Sequence, residues 1–333
     1  WRVAQMLVES KLLPAGAFQL LLGPAGDLLD HVGPQDVVAF TGSADTGAKI
    51  RGHRRVVASN ARVNIEADSL NAVIIGPDVQ SGSELFDLIV KDCTIELTQK
   101  AGQKCTATRR ILVPSALLPE LRDALVDRLA AIAAKTGDPS DDAVRMGPLS
   151  SKSQLADART GVAELAKSAK VVRGDATRTE FAGVSPGTGC FLEPILLEAS
   201  EAGALDRNAA FHRLEVFGPV ATLLPYDGKV ETAARIVAAG EGSLVGTLYA
   251  DDREVTAQAV AAIAPWLGRL VLASEKIAGA SMSPGAVLPV ANHGGPGRAG
   301  DGGELGGRTG LRFYLQRTTL QGGAAELSRL LGE

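Results

Sequence analysis

The cysteine of the stretch AGQKCTATRR, residues 101–110, has the surroundings of a reactive thiol. Free cysteines are usually buried as small apolar side chains, whereas Gln103, Lys104 and Thr106 are polar neighbours in a glycine-led turn. Backbone N–H groups and a nearby cation such as Lys104 would favour the thiolate. Cys105 is therefore a candidate nucleophile, although the turn alone leaves a cysteine without a catalytic role open.

A carboxylate, Glu66, comes at the end of an apolar run in NIEADSLNA. Charge at such a position is costly unless it is paired or functional, and loops at strand ends of α/β proteins are where sites gather. Glu66 is a candidate general base. A glutamate that simply reaches solvent is the competing interpretation.

Two further turns could bind a nucleotide. In FTGSADTG, Thr41, Gly42 and Ser43 precede a helix whose N-terminus would favour an anion, although the stretch also fits an ordinary connection. In EVFGPV, Glu215 could accept hydrogen bonds from ribose hydroxyls, and Phe217 follows it. By itself the second turn also fits a surface turn.

The other two cysteines, Cys93 and Cys190, show no pairing pattern with Cys105. Cys93 lies on the apolar stripe of a predicted helix, which indicates a core position. An odd number of widely spaced cysteines argues against a disulfide framework and against a metal site, and it indicates a reducing, cytoplasmic location.

Composition excludes some partners. The chain has 34 basic and 38 acidic residues, a formal net charge of -4, which provides no large field for nucleic acid or an anionic membrane. No long apolar run or signal pattern indicates membrane insertion or secretion.

Apolar runs alternate with helical patterns, which predicts α/β layers with largely parallel strands. The predicted strands are 36–40, 61–67, 109–114, 190–198, 219–226, 243–250 and 268–274, and the predicted helices include 1–11, 84–100, 115–135 and one from 152. The glycine-rich segment 293–310 is expected to be an ordered loop rather than a flexible linker, followed by a strand in RFYLQRTTLQ, residues 312–321.

Taken in order, FTGS, the strand-end glutamate, GQKC and EVFGP resemble the aldehyde dehydrogenase superfamily. The forms EADSLN, AGQKCTATRR, DAVRMG and HGGPGRAGDGGELGG resemble its branch for CoA-linked semialdehydes in aromatic catabolism, and the likeness runs from about residue 1 to 320. In that branch Ala67 and Asp68 replace the common glycine pair after the glutamate.

The resemblance implies a role for each matching residue. Cys105 would attack the aldehyde, its backbone N–H would form part of the oxyanion hole, and Glu66 would activate the hydrolytic water. Thr41, Gly42 and Ser43 would contact the cofactor pyrophosphate, while Glu215 and Phe217 would lie at the nicotinamide ribose. The cofactor would be NADP, or NAD, and the substrate a small aldehyde, CoA-linked in this branch.

The resemblance also implies an organisation. Residues 1–75 would form the later half of a Rossmann-type cofactor-binding domain, 76–290 the catalytic domain, and 291–333 a glycine-rich loop with a bridging segment for a homodimer or higher homo-oligomer. Family members carry the first half of the cofactor domain upstream of the region that corresponds to Trp1, so a partial cofactor site is expected.

Three functions therefore compete. The first is oxidation of a CoA-linked semialdehyde to the acid. The second is a CoA-acylating dehydrogenase, which would not need Glu66 as a hydrolytic base. The third is a silent fragment that acts only in subunit association. Arg51, Arg54, Arg55, Arg109 and Arg110 are cations that could meet a CoA phosphate or lie on solvated faces.

Overall fold

The computed structural model describes residues 1–280, 285–288, 290–302 and 307–332. Its strands are β1 Val37–Thr41, β2 Arg62–Glu66, β3 Ala72–Ile75, β4 Arg110–Pro114, β5 Lys170–Arg173, β6 Ile195–Glu198, β7 Val220–Tyr226, β8 Ser243–Tyr249 and β9 Leu267–Ala273. Its α-helices are α1 Arg2–Ser10, α2 Ala44–Arg51, α3 Arg54–Ser59, α4 Glu84–Thr98, α5 Leu118–Ala133, α6 Lys152–Leu165, α7 Glu201–Ala204, α8 Val230–Ala238, α9 Arg253–Ile263, α10 Gly307–Tyr314 and α11 Ala324–Leu331.

The strands form two sheets. A seven-stranded sheet has the order β5-β6-β7-β4-β3-β8-β9, and only the edge pair β5–β6 is antiparallel among its ladders. Strands β1 and β2 form a separate parallel pair that places Thr41 opposite Glu66. The predicted α/β class with largely parallel strands is confirmed.

Apolar side chains cover both faces of the larger sheet. Along β3 and β4, Ile74 and Leu112 belong to one buried cluster, whereas Val73 and Ile111 belong to the other. Successive side chains of a strand point to opposite faces, so helices must pack on both sides. The sheet is thus a rigid support for the loops at its ends.

The smaller sheet is much less covered. Most side chains of residues 1–31 are exposed, including Trp1 and Met6, and three of the five residues of β1 are only half-buried. Residues 1–75 were expected to belong to the cofactor-binding domain, but β3 lies in the larger sheet. We therefore propose that the boundary between the cofactor-binding and catalytic domains lies in residues 67–71.

Some predicted elements differ from the observed ones. The strand expected over 190–198 begins only at Ile195, because Pro194 has no N–H to donate to a sheet. Strands β3 and β5 were not predicted.

The strand predicted at residues 312–321 is wrong. Helix α10 ends at Tyr314, and no strand follows it as far as residue 321. The guanidinium of Arg62 donates to the carbonyl groups of Phe313 and Leu315, so a cation from β2 caps the C-terminus of the helix. Residues 307–310, expected in a loop, form the first turn of α10, and residues 303–306 lie outside the described residues.

No helix in the described ranges is both long and apolar enough to cross a bilayer.

A buried arginine connects the centre of the larger sheet to helix α8. Arg110 is fully buried and donates to the carbonyl oxygens of Leu70, Ile236 and Val237. It also contacts Nδ1 of His212 at 3.2 Å. The arginine therefore satisfies three backbone carbonyls inside the core and cannot meet a CoA phosphate.

The partners of His212 fix its protonation. An arginine can only donate, so Nδ1 must accept, and Nε2 must carry the proton that it donates to the Ala204 carbonyl at 2.9 Å. Burial, with the charge of Arg110, lowers the pKa of His212 to about 4. The folded chain thus holds this imidazole neutral.

We predict that this histidine contributes to acid sensitivity. Because the unfolded chain binds the proton below its pKa of about 6.5, stability is complete above pH 6.5 and falls as pH drops towards 4, by about 3 kcal/mol in total. The His212→Gln variant keeps one acceptor and one donor without titrating. Urea unfolding between pH 7 and 4 should show a shallower loss in this variant. The exposed control His31→Gln should match the parent, and equal slopes for His212→Gln and the parent would contradict the argument.

Candidate active site

The turn that carries Cys105 is built on unusual backbone. After α4 ends, Lys100, Ala101 and Gly102 all have positive φ, with values of 54°, 52° and 69°. A Cβ on Gly102 would collide with the carbonyl oxygen of Gly218, so only glycine allows the two loops to approach. Such strained backbone persists where the surrounding structure holds it, which is common at functional sites.

Arg109 connects the same turn to the Glu215 loop. Its guanidinium donates to the carbonyl oxygens of Gly218 and Gly102 at 2.7 and 2.9 Å, and to Oε1 of Glu215 at 3.1 Å. Oε2 of Glu215 accepts from the backbone N–H of Ser69 at 2.9 Å. Burial raises the pKa of Glu215 and the charge of Arg109 opposes that rise. Arg109 thus holds the turn that carries Cys105 against the loop that carries Glu215.

Asn71 connects the turn that carries Cys105 to the larger sheet. Its side-chain amide donates to the carbonyl oxygens of Cys105 and Ala107 at 2.8 and 2.9 Å. Its amide oxygen accepts from the backbone N–H of Val245 at 3.0 Å. This buried side chain therefore connects the turn to β8 in the larger sheet. Within the described ranges, the N–H of Cys105 has no hydrogen-bond partner, so it can donate to a bound group.

Glu66 reaches the thiol from the smaller sheet. It is the last residue of β2, and its side chain is 4% exposed. Its carbonyl oxygen accepts from the N–H of Gly42 at 3.1 Å. The pairing of β1 with β2 thus connects Glu66, the candidate base, directly to the loop that follows β1.

A histidine from the glycine-rich segment lies between Glu66 and Cys105. Nε2 of His293 is 3.4 Å from Sγ of Cys105 and 3.4 Å from Oε1 of Glu66. The reacting atoms of all three side chains lie within 4.8 Å of one another. Contact with Cys105, and then with Glu66, raises the pKa of His293 to about 9, although burial opposes the rise.

Cys105 and Glu66 open onto a cleft with a volume of about 1060 Å³. The predicted nucleotide contacts line it together with Cys105 and Glu66: Thr41, Gly42, Ser43, Glu215 and Phe217. Ser43 caps helix α2 by accepting from the N–H of Thr46. The cleft is large enough for a dinucleotide, and the helix N-terminus with its glycine suits a phosphate.

Asp68 lines the same cleft and contacts the start of helix α2. Its Oδ1 accepts from the N–H of Ala44 at 3.2 Å, and its Oδ2 pairs with Arg298 at 3.2 Å. The N–H of Ala67 donates to the carbonyl oxygen of Ala299 at 3.1 Å. Ala67 and Asp68 thus connect the start of helix α2 to the glycine-rich segment.

The structure corrects one expectation about the thiol. Lys104 was expected to be the cation beside Cys105, but its ammonium group is buried against Oε1 of Glu96 at 2.9 Å and Oε1 of Gln99 at 2.9 Å. Among the described residues, the side chain in contact with Sγ is His293.

Sequence reasoning missed three contributors. His293 was part of a quoted motif but was not singled out, although a lone histidine before two glycines is a usable signal. Asn71 precedes the buried run AVII, where a polar side chain needs partners. The pair of Asp68 with Arg298 spans 230 residues of sequence and carries no local signal.

The chain is similar to known proteins along most of its length. A model described as the aldehyde dehydrogenase family matches residues 1–320. The chain belongs to the aldehyde dehydrogenase family. The 3,4-dehydroadipyl-CoA semialdehyde dehydrogenase of Aromatoleum evansii is 43% identical over 295 residues, which is 89% of this chain and 56% of the relative. Protein MaoC of Klebsiella aerogenes is 40% identical over 142 residues, 43% of this chain and 41% of that protein.

Solved structures show the same fold. Betaine aldehyde dehydrogenase from Staphylococcus aureus in complex with NAD⁺ superposes with a TM-score of 0.78 at 25% identity, covering 94% of this chain and 57% of that chain. The chain therefore spans a little over half the length of the dehydrogenases it matches along most of its own length. Its sequence and its fold both agree with membership of this family.

We predict that Cys105 is the cysteine that reacts fastest in the folded protein. Cys93 is completely buried, and burial raises the pKa of its thiol, while Cys190 is half-buried at the start of an apolar segment. Peptide mapping by mass spectrometry after brief treatment with iodoacetamide should find the label on Cys105. Faster labelling of Cys93 or Cys190 would remove the main support for a nucleophile at 105.

Proposed function

We propose that the protein catalyses NAD(P)-dependent oxidation of an aldehyde to the carboxylic acid through a thioester on Cys105. The observation that carries this proposal is the approach of a buried carboxylate to a half-buried thiol at one end of a nucleotide-sized cleft. Each group is of the type that the chemistry requires, and each comes from a different part of the fold.

In the first step the sulfur of Cys105 forms a bond to the aldehyde carbon. The N–H of Cys105 then donates to the oxygen that becomes negative, and removal of one such donor typically costs about 10²- to 10³-fold in rate. The bound dinucleotide supplies the acceptor for the hydride that leaves this carbon. The product of this stage is an acyl group on sulfur.

In the second step Glu66 takes a proton from water, and the water oxygen attacks the thioester carbon. The C–S bond breaks and the thiolate leaves. The burial of Glu66 at the end of β2 keeps its carboxylate directed at this position.

The residues present fit a dinucleotide. Gly42 and Ser43 at the start of α2 would hold the pyrophosphate, with Thr41 beside them, and Glu215 would accept from ribose hydroxyls next to Phe217. Both oxygens of Glu215 already accept one hydrogen bond, and a carboxylate oxygen can accept more than one. We propose NADP in preference to NAD, on the resemblance of the sequence motifs.

The proposed substrate is a CoA-linked semialdehyde from the degradation of aromatic compounds. Support comes from the relative named 3,4-dehydroadipyl-CoA semialdehyde dehydrogenase and from the EADSLN and AGQKCTATRR forms. Arg109 and Arg110 are buried and cannot contact a CoA phosphate. Arg51 and Arg54 remain exposed cations.

We also propose a cytoplasmic homodimer or higher homo-oligomer. Helices α10 and α11 expose apolar side chains, among them Leu311, Leu330 and Leu331. Exposed apolar surface of this kind indicates association with another chain.

A CoA-acylating dehydrogenase is the second candidate. It would release the acyl group to a CoA thiol and would need no hydrolytic base. The carboxylate of Glu66 near the thiol disfavours it, because an acylating enzyme would have no need of a hydrolytic base at this position. A silent fragment is the third candidate, since the chain covers 56% of its semialdehyde dehydrogenase relative.

We predict that Glu66→Gln slows hydrolysis far more than hydride transfer, because the base acts after the hydride has left. With 3,4-dehydroadipyl-CoA semialdehyde, the variant should give a burst of reduced cofactor of about one per chain and then a steady rate lower by about 10²- to 10⁴-fold. Stopped-flow absorbance with NADP⁺ and with NAD⁺ measures both phases and the cofactor preference.

The surface variant Glu120→Gln is the control and should behave like the parent. An unchanged steady rate in Glu66→Gln would show that Glu66 is not the base. A steady rate that recovers on addition of CoA, with acyl-CoA as product, would support the acylating candidate. No burst in any variant would favour the silent fragment.

A further inference from the structure

We propose that His293 accepts the proton of the Cys105 thiol and then stays protonated beside the sulfur while the thioester forms and is hydrolysed. The inference rests on the proposed function, since it gives the nucleophile its reactive form. It makes the glycine-rich segment part of the catalytic apparatus.

The geometry places one nitrogen between two partners. Nε2 of His293 is 3.4 Å from Sγ of Cys105 and 3.4 Å from Oε1 of Glu66. A proton on Nε2 therefore lies within reach of the sulfur on one side and of the carboxylate on the other. A cysteine paired with an imidazolium is a recognised way to obtain thiolate at neutral pH.

The surroundings favour a charged imidazole. The side chain of His293 is 9% exposed, so water screens its contacts poorly. Glu66 contributes a negative charge at contact distance, and the thiolate of Cys105 would contribute a second. Two anions around one buried nitrogen stabilise the imidazolium more than burial destabilises it, in accord with the raised pKa of this group.

The other charged groups nearby do not replace it. Arg269 on β9 interacts electrostatically with Cys105 and with Glu96. Lys104 pairs with Glu96 at 2.9 Å. In the segment that carries His293, Arg298 pairs with Asp68 at 3.2 Å. Lys104 and Arg298 thus each have an acidic partner, and His293 makes the contact with sulfur.

The backbone around His293 is held on two sides. The side chain of Asn292 donates to the carbonyl oxygen of Gly294 at 3.0 Å and to that of Gly268 on β9 at 3.4 Å. A Cβ on Gly268 would collide with the carbonyl oxygen of Gly294. This close approach keeps the imidazole directed at the thiol.

The proton balance follows from this placement. The S–H proton moves to Nε2, which leaves a thiolate and an imidazolium. The thiolate forms the C–S bond, hydride leaves with its electron pair to the oxidised dinucleotide, and Glu66 takes the proton of the attacking water. When the C–S bond breaks, the thiolate returns to the imidazolium, and the proton on Glu66 passes to solvent.

Alkylation of Cys105 tests the proposal without aldehyde or cofactor. The parent chain and the His293→Gln variant are treated with iodoacetamide from pH 6 to pH 10, and the labelling rate at Cys105 is followed by peptide mass spectrometry. At pH 6.5 the variant should be labelled at least about tenfold more slowly, because one pKa unit changes the thiolate fraction tenfold. At pH 10 the two rates should converge, since the thiol then ionises without help.

The comparison separates the possible failures. Equal pH profiles for the parent and His293→Gln would overturn the role of His293, while rapid labelling of Cys105 would leave the proposed function intact. If His293→Gln lowered the labelling rate by the same factor at every pH, His293 would affect only the access of iodoacetamide to the thiol. That result would also overturn the proposal. The exposed His31→Gln control should follow the parent.

A second comparison does not depend on the folding of a variant. A synthetic peptide of residues 99–110 contains the same turn sequence without His293. The ratio of labelling rates at pH 6.5 and pH 10 should be at least about tenfold higher in the folded chain than in the peptide. Equal ratios would contradict the proposal.

Discussion

The candidate active site depends on one buried amide, that of Asn71. A buried amide must have partners for its donors and its acceptor, and Asn71 finds them in the carbonyls of Cys105 and Ala107 and in the N–H of Val245. Its own carbonyl accepts from the N–H groups of Arg109 and Arg110. The turn that carries the thiol is therefore fixed to the larger sheet before any ligand binds, and preorganisation of this kind is what catalysis by positioning requires.

Three distant segments meet at that turn. β2 contributes Glu66, the loop after α4 contributes Cys105, and the glycine-rich segment contributes His293. Each is fixed by backbone contacts as well as by side chains: Gly42 to Glu66, Gly102 against Gly218, and Ala67 to Ala299. Close approach to the backbone of Gly218 explains the glycine at position 102.

Much of this arrangement could be predicted from the sequence, because local motifs carry it. The strand-end position of Glu66 and the polar turn around Cys105 each leave a local pattern, and α/β alternation indicates parallel strands whose ends meet. The approach of His293 to Cys105 leaves no such pattern, since 188 residues separate them. The direction of the Lys104 side chain depends on Glu96 in the preceding helix α4, and on a turn whose positive φ values the sequence did not indicate.

The same reasoning explains the incorrect strand near the C-terminus. The segment 312–321 alternates in a way that favours a strand, yet Arg62 from β2 caps a helix that ends at Tyr314. A tertiary contact with a cation overrode a weak local preference. Pro194, by contrast, signals the late start of β6 in the sequence itself, so that boundary was predictable.

The central claim is that Cys105 forms an acyl intermediate that Glu66 helps to hydrolyse, and p-nitrophenyl acetate tests it without cofactor or natural substrate. The measurement is peptide mass spectrometry of acid-quenched protein during turnover of this ester. We expect an acetyl group on Cys105 that is transient in the parent chain and accumulates in Glu66→Gln. An acetyl group confined to another residue, or one that clears from Cys105 equally fast in both proteins, would contradict it.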